Sequence, residues 1–379
     1  MHHATLTTMI FALTAGLASG CRGGQEQECP GWESGQQDTG DEAGEETPYL
    51  DVIAEIDLSS NDTYGQIVWY DAGKAFAVSF PGATDGAGRV ALLSATGETL
   101  ASVTGPSTST GLGATLTVVD DLLVSGATDG TVYAWSMETG DSGQVDDLAV
   151  ATVTGAGAAP AVAQVADELW IADSGSGSLY AVDLADLRDQ DLGTLTPVSR
   201  PCGDVSGCGI SMVAAPDDSG ALLGLTGGYA QHVNARGQPD WYAAGGFVLA
   251  GSVPDAPAGE TSVSMDSEGF LVGGYRDGPA LPPSGRWIAA DGYEAGDVEP
   301  YLTAATTGIL DGVEYRAVSM TGTLWRLGVD PKSGDGLLTG DAVDTACAMP
   351  IIANNGWAKI AVICSGETAA TIYEIGWKN

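Results

Sequence analysis

Histidine, cysteine and paired acids carry most side-chain chemistry, and their supply in this chain is uneven. There are three histidines, and two of them, His2 and His3, lie in a leader expected to be removed. That leaves His232, in the alternating run Tyr229-Ala230-Gln231-His232-Val233 with no nucleophile marked beside it, so it reads as a strand residue rather than the base of a triad. A multi-histidine metal site is excluded by the count. The 50 Asp and Glu make chance carboxylate pairs so easy that a glycosidase-type acid and base have no specific signature. No catalytic set, metal or cofactor is expected, and the chain reads as a non-enzyme.

Basic residues are informative because Lys and Arg total only 13. Tyr275-Arg276-Asp277-Gly278-Pro279-Ala280-Leu281-Pro282-Pro283-Ser284-Gly285-Arg286-Trp287 gathers two arginines and two aromatics around a proline-stiffened excursion. Loops on a rigid scaffold are where binding residues concentrate. Tyr275, Arg276, Asp277, Arg286 and Trp287 are therefore the candidate ligand-binding residues. The plainer reading is a stiff loop whose arginines neutralise an acidic surface. A net charge of −37 argues against nucleic acid, since no basic surface is available to displace counterions from phosphates.

Six cysteines in an exported chain are read as bridges first. Cys202 and Cys208 bracket Gly203-Asp204-Val205-Ser206-Gly207, as in a short loop bridge; zinc is the alternative, and it lacks further ligands. Cys347 and Cys364 flank Asn354-Asn355-Gly356-Trp357, and Asn-Gly is a strong two-residue hairpin signal. Counting outward from that turn sets Cys347 opposite Cys364 on a non-hydrogen-bonded pair, the closer type and the better for a disulfide. The same count puts Pro350 against Ala361, where an N–H is wanted, and so asks for a bulge. Such a bridge would contribute about 3 kcal/mol by loop length. Of the remaining two, Cys21 is either lipidated, leaving Cys29 unpaired, or bridged to Cys29.

The elements that position these residues are short strands. From Tyr49 onward, strand-like runs alternate with Gly, Asp, Asn and Ser clusters, and no helical period persists. A phrase of glycine, any residue, an aliphatic and an aromatic recurs as Gly130-Thr131-Val132-Tyr133, Gly177-Ser178-Leu179-Tyr180 and Gly322-Thr323-Leu324-Trp325, with Ala370-Thr371-Ile372-Tyr373 as a variant. The steps between these phrases are 47, 145 and 48 residues, and the middle one holds three periods. Weaker copies at Gly88, Gly228 and Gly285 complete seven units. Each unit runs small-residue strand (Gly113–Val119, Pro160–Val165, Ser262–Met265), apolar strand (Leu122–Ser125, Glu168–Ala172, Phe270–Gly273), phrase-bearing strand and a degenerate fourth.

A four-stranded repeat of this length is the signature of a β-propeller blade, so the expected fold is all-β, a seven-bladed β-propeller over residues 49–379. The last unit supplies only Thr345–Ile352, Trp357–Cys364 and Thr371–Trp377, while Tyr49–Leu58 is left over at the front. Using that N-terminal strand to complete the last blade closes the ring without an orphan edge. Trp69, Trp135, Trp170 and Trp325 fall inside strands, where they read as inter-blade packing.

Residues 1–20 read as a signal peptide: Ala4–Ala18 is apolar or small and too short to span a bilayer. Leu17-Ala18-Ser19-Gly20-Cys21 resembles a bacterial lipobox, which implies lipidation at Cys21, and Arg22 after it implies the outer membrane. Residues 21–48 carry eight acids and little to bury, as expected of a disordered acidic tether.

Two family resemblances follow from the repeats. Ala77–Val90, and Leu112–Leu116 with Leu122–Ala127 and Gly130–Tyr133, look like FG-GAP repeats, the blades of integrin α-type propellers and of bacterial surface proteins. The calcium loop common in that family is not matched, since only Asp120-Asp121 occupies its place. Gly130–Gly140 and Gly177–Asp183 also resemble quinoprotein propeller repeats, including those of the barrel-assembly lipoprotein. The resemblances imply a propeller and leave function to the site. The expectation is an exported, lipid-anchored, monomeric module that binds a protein or glycan at the cell envelope. The alternative is a scaffold subunit of an envelope assembly, and a quinoprotein or glycan-cleaving enzyme comes third.

Overall fold

Ala75–Phe80 is buried at every position, and its alternate residues go to different places. Phe76, Val78 and Phe80 pack with Ala361, Ala370 and Ile372 near the C-terminus, whereas Ala75 and Ala77 pack with Leu112, Leu116 and Leu123 of the next repeat. Successive side chains of a strand point to opposite faces, so a strand apolar throughout must lie between two layers. The same sorting recurs one repeat on: Leu122 and Val124 join Leu169, Ile171 and Tyr180, while Leu123 faces back. In the following repeat, Trp170 and Ala172 meet Ala221, Leu223 and Val233. Among the described side chains, each of these sheets is thus a slice between two neighbours, and the core is a series of inter-sheet seams.

The computed structural model describes residues 47–378 apart from 58–64, 71–74, 139, 145–149, 153–158, 174, 189–191, 202–207, 216–218, 226–228, 245–246, 251–261, 266–268, 276–283, 290–298, 301, 311–312, 321–324, 332–341, 346–349, 355–358 and 365–368. The chain divides into two units, Met1–Gly44 and Glu45–Asn379, and every described residue belongs to the second. Among them the regular elements are strands and two 3₁₀ turns, Thr84–Gly86 and Asp186–Arg188.

The described strands form seven sheets. The first runs Ile67–Tyr70, Ala75–Phe80, Arg89–Ser94 and Thr99–Thr104, and the second Thr115–Val119, Leu122–Gly126, Thr131–Trp135 and Val150–Thr152. The third holds Ala161–Val165, Glu168–Asp173 and Ser178–Asp183. The fourth holds Cys208–Ala214, Gly220–Leu225, Tyr229–Asn234, Pro239–Ala244 and Phe247–Ala250. The fifth is Ser262–Met265, Gly269–Tyr275, Ser284–Ala289 and Glu299–Pro300, and the sixth Leu302–Leu310, Val313–Met320, Trp325–Pro331 and Ala342–Thr345. The seventh joins Pro350–Asn354, Lys359–Cys364 and Ala369–Lys378 to the N-terminal strand Thr47–Asp57.

The first strand of every sheet touches the first strand of the next, and Pro350–Asn354 touches Ile67–Tyr70, so the inner strands follow one another in a closed cycle. Thr47–Asp57 pairs antiparallel with Ala369–Lys378 from Thr47↔Lys378 to Asp57↔Ala369. The leftover N-terminal strand therefore completes the last sheet, as the unit count requires.

Two expectations for the seventh unit are corrected. Thr345 does not open it; Thr345 pairs with Trp325 as the outer strand of the sixth sheet. Nor does the strand register follow the count outward from Asn355-Gly356, which lies outside the described residues: Asn354 pairs with Ile360, and Cys364 lies opposite Pro350 rather than Cys347. The reason is tertiary: Ala361 and Val362 are both buried, Ala361 in the seam with Phe76 and Phe80, and a buried face specifies register more strongly than a local turn preference. Pro350 now stands at the first residue of its strand, where a missing N–H is tolerated and no bulge is needed. Cys347 lies outside the described residues.

Candidate functional site

Three connections meet between the first two sheets. Pro81–Gly88 joins the second and third strands of the first sheet, residues 105–114 lead into the second sheet, and Ala127–Gly130 joins that sheet's second and third strands. Backbone bonds tie the first connection to the second: Gly111 N donates to Gly86 O at 2.8 Å, Leu112 N to Ala87 O at 2.9 Å, and Gly105 N to Gly88 O at 3.1 Å. Asp129 N donates to Thr110 O at 3.3 Å, and the Thr128 hydroxyl donates to the same oxygen at 3.3 Å, tying in the third. Glycine is required where the three cross. Gly111 has φ +59°, and a Cβ there would lie 2.0 Å from Thr128 Oγ1. One on Gly86, at φ +97°, would lie 2.5 Å from Thr108 O.

On top of this crossing stand Thr84, Asp85, Ser107, Thr108, Ser109, Thr128 and Asp129, all exposed. Thr84 and Asp85 both take φ 55°, a left-handed conformation that costs a β-branched residue about 1–2 kcal/mol. The surrounding hydrogen bonds hold it: Ala83 O accepts from both Gly86 N at 3.2 Å and Gly88 N at 3.0 Å. Ser107 and Thr110 share a hydroxyl contact of 3.0 Å, and Ser107 and Ser109 one of 3.2 Å. Asp129 turns one carboxylate oxygen to Thr131 N at 3.0 Å, the bond of an Asx turn. Beneath, Arg89 lays its guanidinium 4.3 Å from the centre of the Phe80 ring, anchoring the strands from which the first connection springs. The surface is a rigid plate of hydroxyls and two carboxylates, suited to donating and accepting hydrogen bonds and poor in groups that could attack a substrate.

Asp173, at the corresponding turn of the third sheet, is 1% exposed and accepts from Gly175 N at 2.9 Å and the Ser176 hydroxyl at 2.6 Å, so it shapes its turn. Below Asp129, the Tyr133 hydroxyl is pushed up from its ordinary value by burial first and the Asp129 carboxylate second, against hydrogen bonds to Thr110 and Thr131.

Of the sequence-predicted residues, Tyr275 ends the second strand of the fifth sheet, opposite Ser284. Arg286 and Trp287 follow in the third strand, opposite Val272 and Leu271. One hairpin thus brings these three together, and its connection is of the same second-to-third kind as Pro81–Gly88 and Ala127–Gly130. Arg276 and Asp277 fall outside the described residues, as do Cys21 and Cys202; Cys208 opens the first strand of the fourth sheet. His232 is a buried strand residue opposite Leu222, stacked on Trp241 at 4.9 Å between ring centres and 5° between planes. Its Nδ1 is 3.6 Å from the Asp240 carboxylate. Among the described residues, no three His, Cys, Asp or Glu converge as metal ligands do.

The Thr84–Asp85 surface escaped sequence reasoning, although a signal existed. Gly82-Ala83-Thr84-Asp85-Gly86 and Gly126-Ala127-Thr128-Asp129-Gly130 are the same pentapeptide. Only the first copy has positive φ at Thr and Asp, because its connection is longer and must reach back to Gly111 and Leu112.

No protein-family profile matches the chain, and no curated protein does. Solved structures do. The WD40 domain of Neurospora crassa Pan2 superposes with a TM-score of 0.54 at 8% identity, over 86% of this chain and 95% of that one. A chain of the Mitotic Checkpoint Complex gives 0.56 at 12%, over 97% and 99%. Chaetomium thermophilum Raptor gives 0.59 at 12%, over 88% of this chain and 29% of that one. The domain is a β-propeller. At these identities the fold is all that is shared, and the FG-GAP and quinoprotein likenesses are finer than the comparisons reach. The sheets described above are its blades.

Proposed function

We propose that this protein is an exported, monomeric β-propeller, lipid-anchored through Cys21 at the outer membrane, that works without catalysis by binding a protein or glycan. Its contact surface is the rim carrying Thr84, Asp85, Ser107–Ser109, Thr128 and Asp129, extended by Tyr275, Arg276, Asp277, Arg286 and Trp287 of the fifth blade. The carrying observation is the interlock of three connections across two blades, which holds exposed hydroxyls and carboxylates on strained, preorganised backbone. Solved propellers of other proteins support the module reading, and the FG-GAP-like phrases support a cell-surface variety of it.

A photo-crosslinking residue at Ser109, with a control at Asp120 on the opposite rim, tests the surface in intact cells. Crosslinked species are expected from position 109 and not from 120. Equal products from both, or none from 109, count against the rim. The anchor has its own assay: Cys21→Ala should move the protein out of the membrane fraction, and a wild-type N-terminal peptide without added acyl mass would refute lipidation.

A further inference from the structure

The outer edges of the first two blades are each covered by a strand from the following repeat. Ser142–Gln144 runs parallel to Thr99–Thr104, and Gly193–Thr194 runs parallel to Val150–Thr152. In the fourth blade Phe247–Ala250 adds antiparallel to Pro239–Ala244 as a fifth strand, so outer blade edges in this protein do take up further strands. The seventh blade ends on Thr47–Asp57, and among the described residues no strand lies beyond it.

That edge has an unusual surface. Val52 and Ile53 are 51% and 43% exposed and, with Val198, are the exposed large hydrophobics among the described residues. They sit at a register shift between Val52 and Ala54, where a bulge turns the strand. Acids flank them: Asp51 and Glu55 are exposed, and Asp51 lies directly opposite Glu374, which is exposed too. Like charges directly opposite each other destabilise a strand pair, and Lys359, opposite Glu374 on the next strand, offsets part of that repulsion. An open edge normally carries lysine to repel other strands, and here the repelling charge is negative. It keeps apart two copies of a chain whose net charge is −37, and it attracts a cationic strand.

We propose that the outer edge of Thr47–Asp57 takes up an extended polypeptide segment in which Lys or Arg alternates with apolar residues, as a further strand of the seventh blade. Main-chain bonds to the edge would supply affinity, Val52 with Ile53 beside it in the bulge would bury against the apolar positions, and Asp51 with Glu374, on the other face of the sheet, would select the basic ones. The site is separate from the rim of the first two blades and stands whether or not that rim binds.

The test uses the full chain and a fluorescent decapeptide of alternating lysine and valine. A second peptide of the same sequence is N-methylated at every other residue, keeping its charge while losing ladder donors. Anisotropy titrations should show the plain peptide binding roughly tenfold more tightly, since the methylated one loses ladder hydrogen bonds to the edge. The exposed-site variant Asp51→Lys/Glu55→Lys, confirmed folded by a melting temperature no lower than that of wild type, should lose about as much. In hydrogen exchange, the plain peptide should newly protect amides within residues 51–55. Equal affinity for both peptides, or an unaltered double variant, would mean charge attraction elsewhere and overturn the proposal. So would light scattering that finds the wild-type chain paired with itself through this edge.

Discussion

Single hydroxyls pin the blades to one another. Tyr70, at the end of the first inner strand, donates to Asp121 O at 2.7 Å and accepts from Met137 N at 3.2 Å, both in the second blade. Tyr70→Phe keeps the ring in its seam and leaves the Met137 N–H buried without that acceptor, so it should cost about 1–3 kcal/mol in urea unfolding. A change within error would show that the bond is replaced at no cost. Tyr133 gives a pH-dependent version. Its folded pKa is raised above the ordinary tyrosine value near 10, so the contribution to stability is complete below that value. As pH rises from there through the folded pKa, the unfolded chain ionises first and the contribution is lost. Tyr133→Phe removes this proton linkage. The fall in urea midpoint between pH 9 and pH 11 should therefore be smaller in the variant than in wild type, the other tyrosines being common to both. Identical falls would mean that Asp129 and burial do not act on this group.

At the scale of elements, strands were legible and connections were not. The sequence pattern places Ser262–Met265 where the structure has it, and Trp135 and Trp170 do lie in inter-blade seams. A strand-forming run closed by turn residues is a local signal, and the repeat restates it from unit to unit. The register counted from Asn355-Gly356 differs from the one adopted because a local turn preference competes with the seam that holds Ala361. The Thr84–Asp85 surface was invisible for a related reason: the same five residues adopt another backbone at Thr128–Asp129, so its geometry comes from partners distant in sequence. Glycines test this directly. Gly111→Ala puts a Cβ on Thr128 at positive φ and should destabilise by about 1–3 kcal/mol. Gly82→Ala, where a Cβ would meet nothing within 4 Å, should stay within about 0.5 kcal/mol of wild type by thermal unfolding. Similar melting temperatures for the two would remove the claim that the three connections are locked together.

For the whole propeller, what matters is how the cycle is fastened. A linear array of blades would be stable as a sum of neighbours, with each end free to fray. In this protein, the seam between the last and first blades joins Ala361, Ala370 and Ile372 to Phe76, Val78 and Phe80, and Thr47–Asp57 covers the edge of Ala369–Lys378. The two chain ends of the propeller therefore share one sheet, and opening it costs the ladder and exposes the seam together. Removing residues 1–44 spares every pair in that ladder, so the melting temperature should not change. Removing 1–57 deletes the strand, leaves Ala369–Lys378 as an edge and should lower the melting temperature. Hydrogen exchange should then speed up first at Ala369–Lys378 and next along Lys359–Cys364 and Ala75–Phe80, because those strands meet at the opened seam. If the two truncations melt together, or if exchange quickens evenly around the ring, the N-terminal strand is only an appendage, and closure rests on the contact between the inner strands Pro350–Asn354 and Ile67–Tyr70.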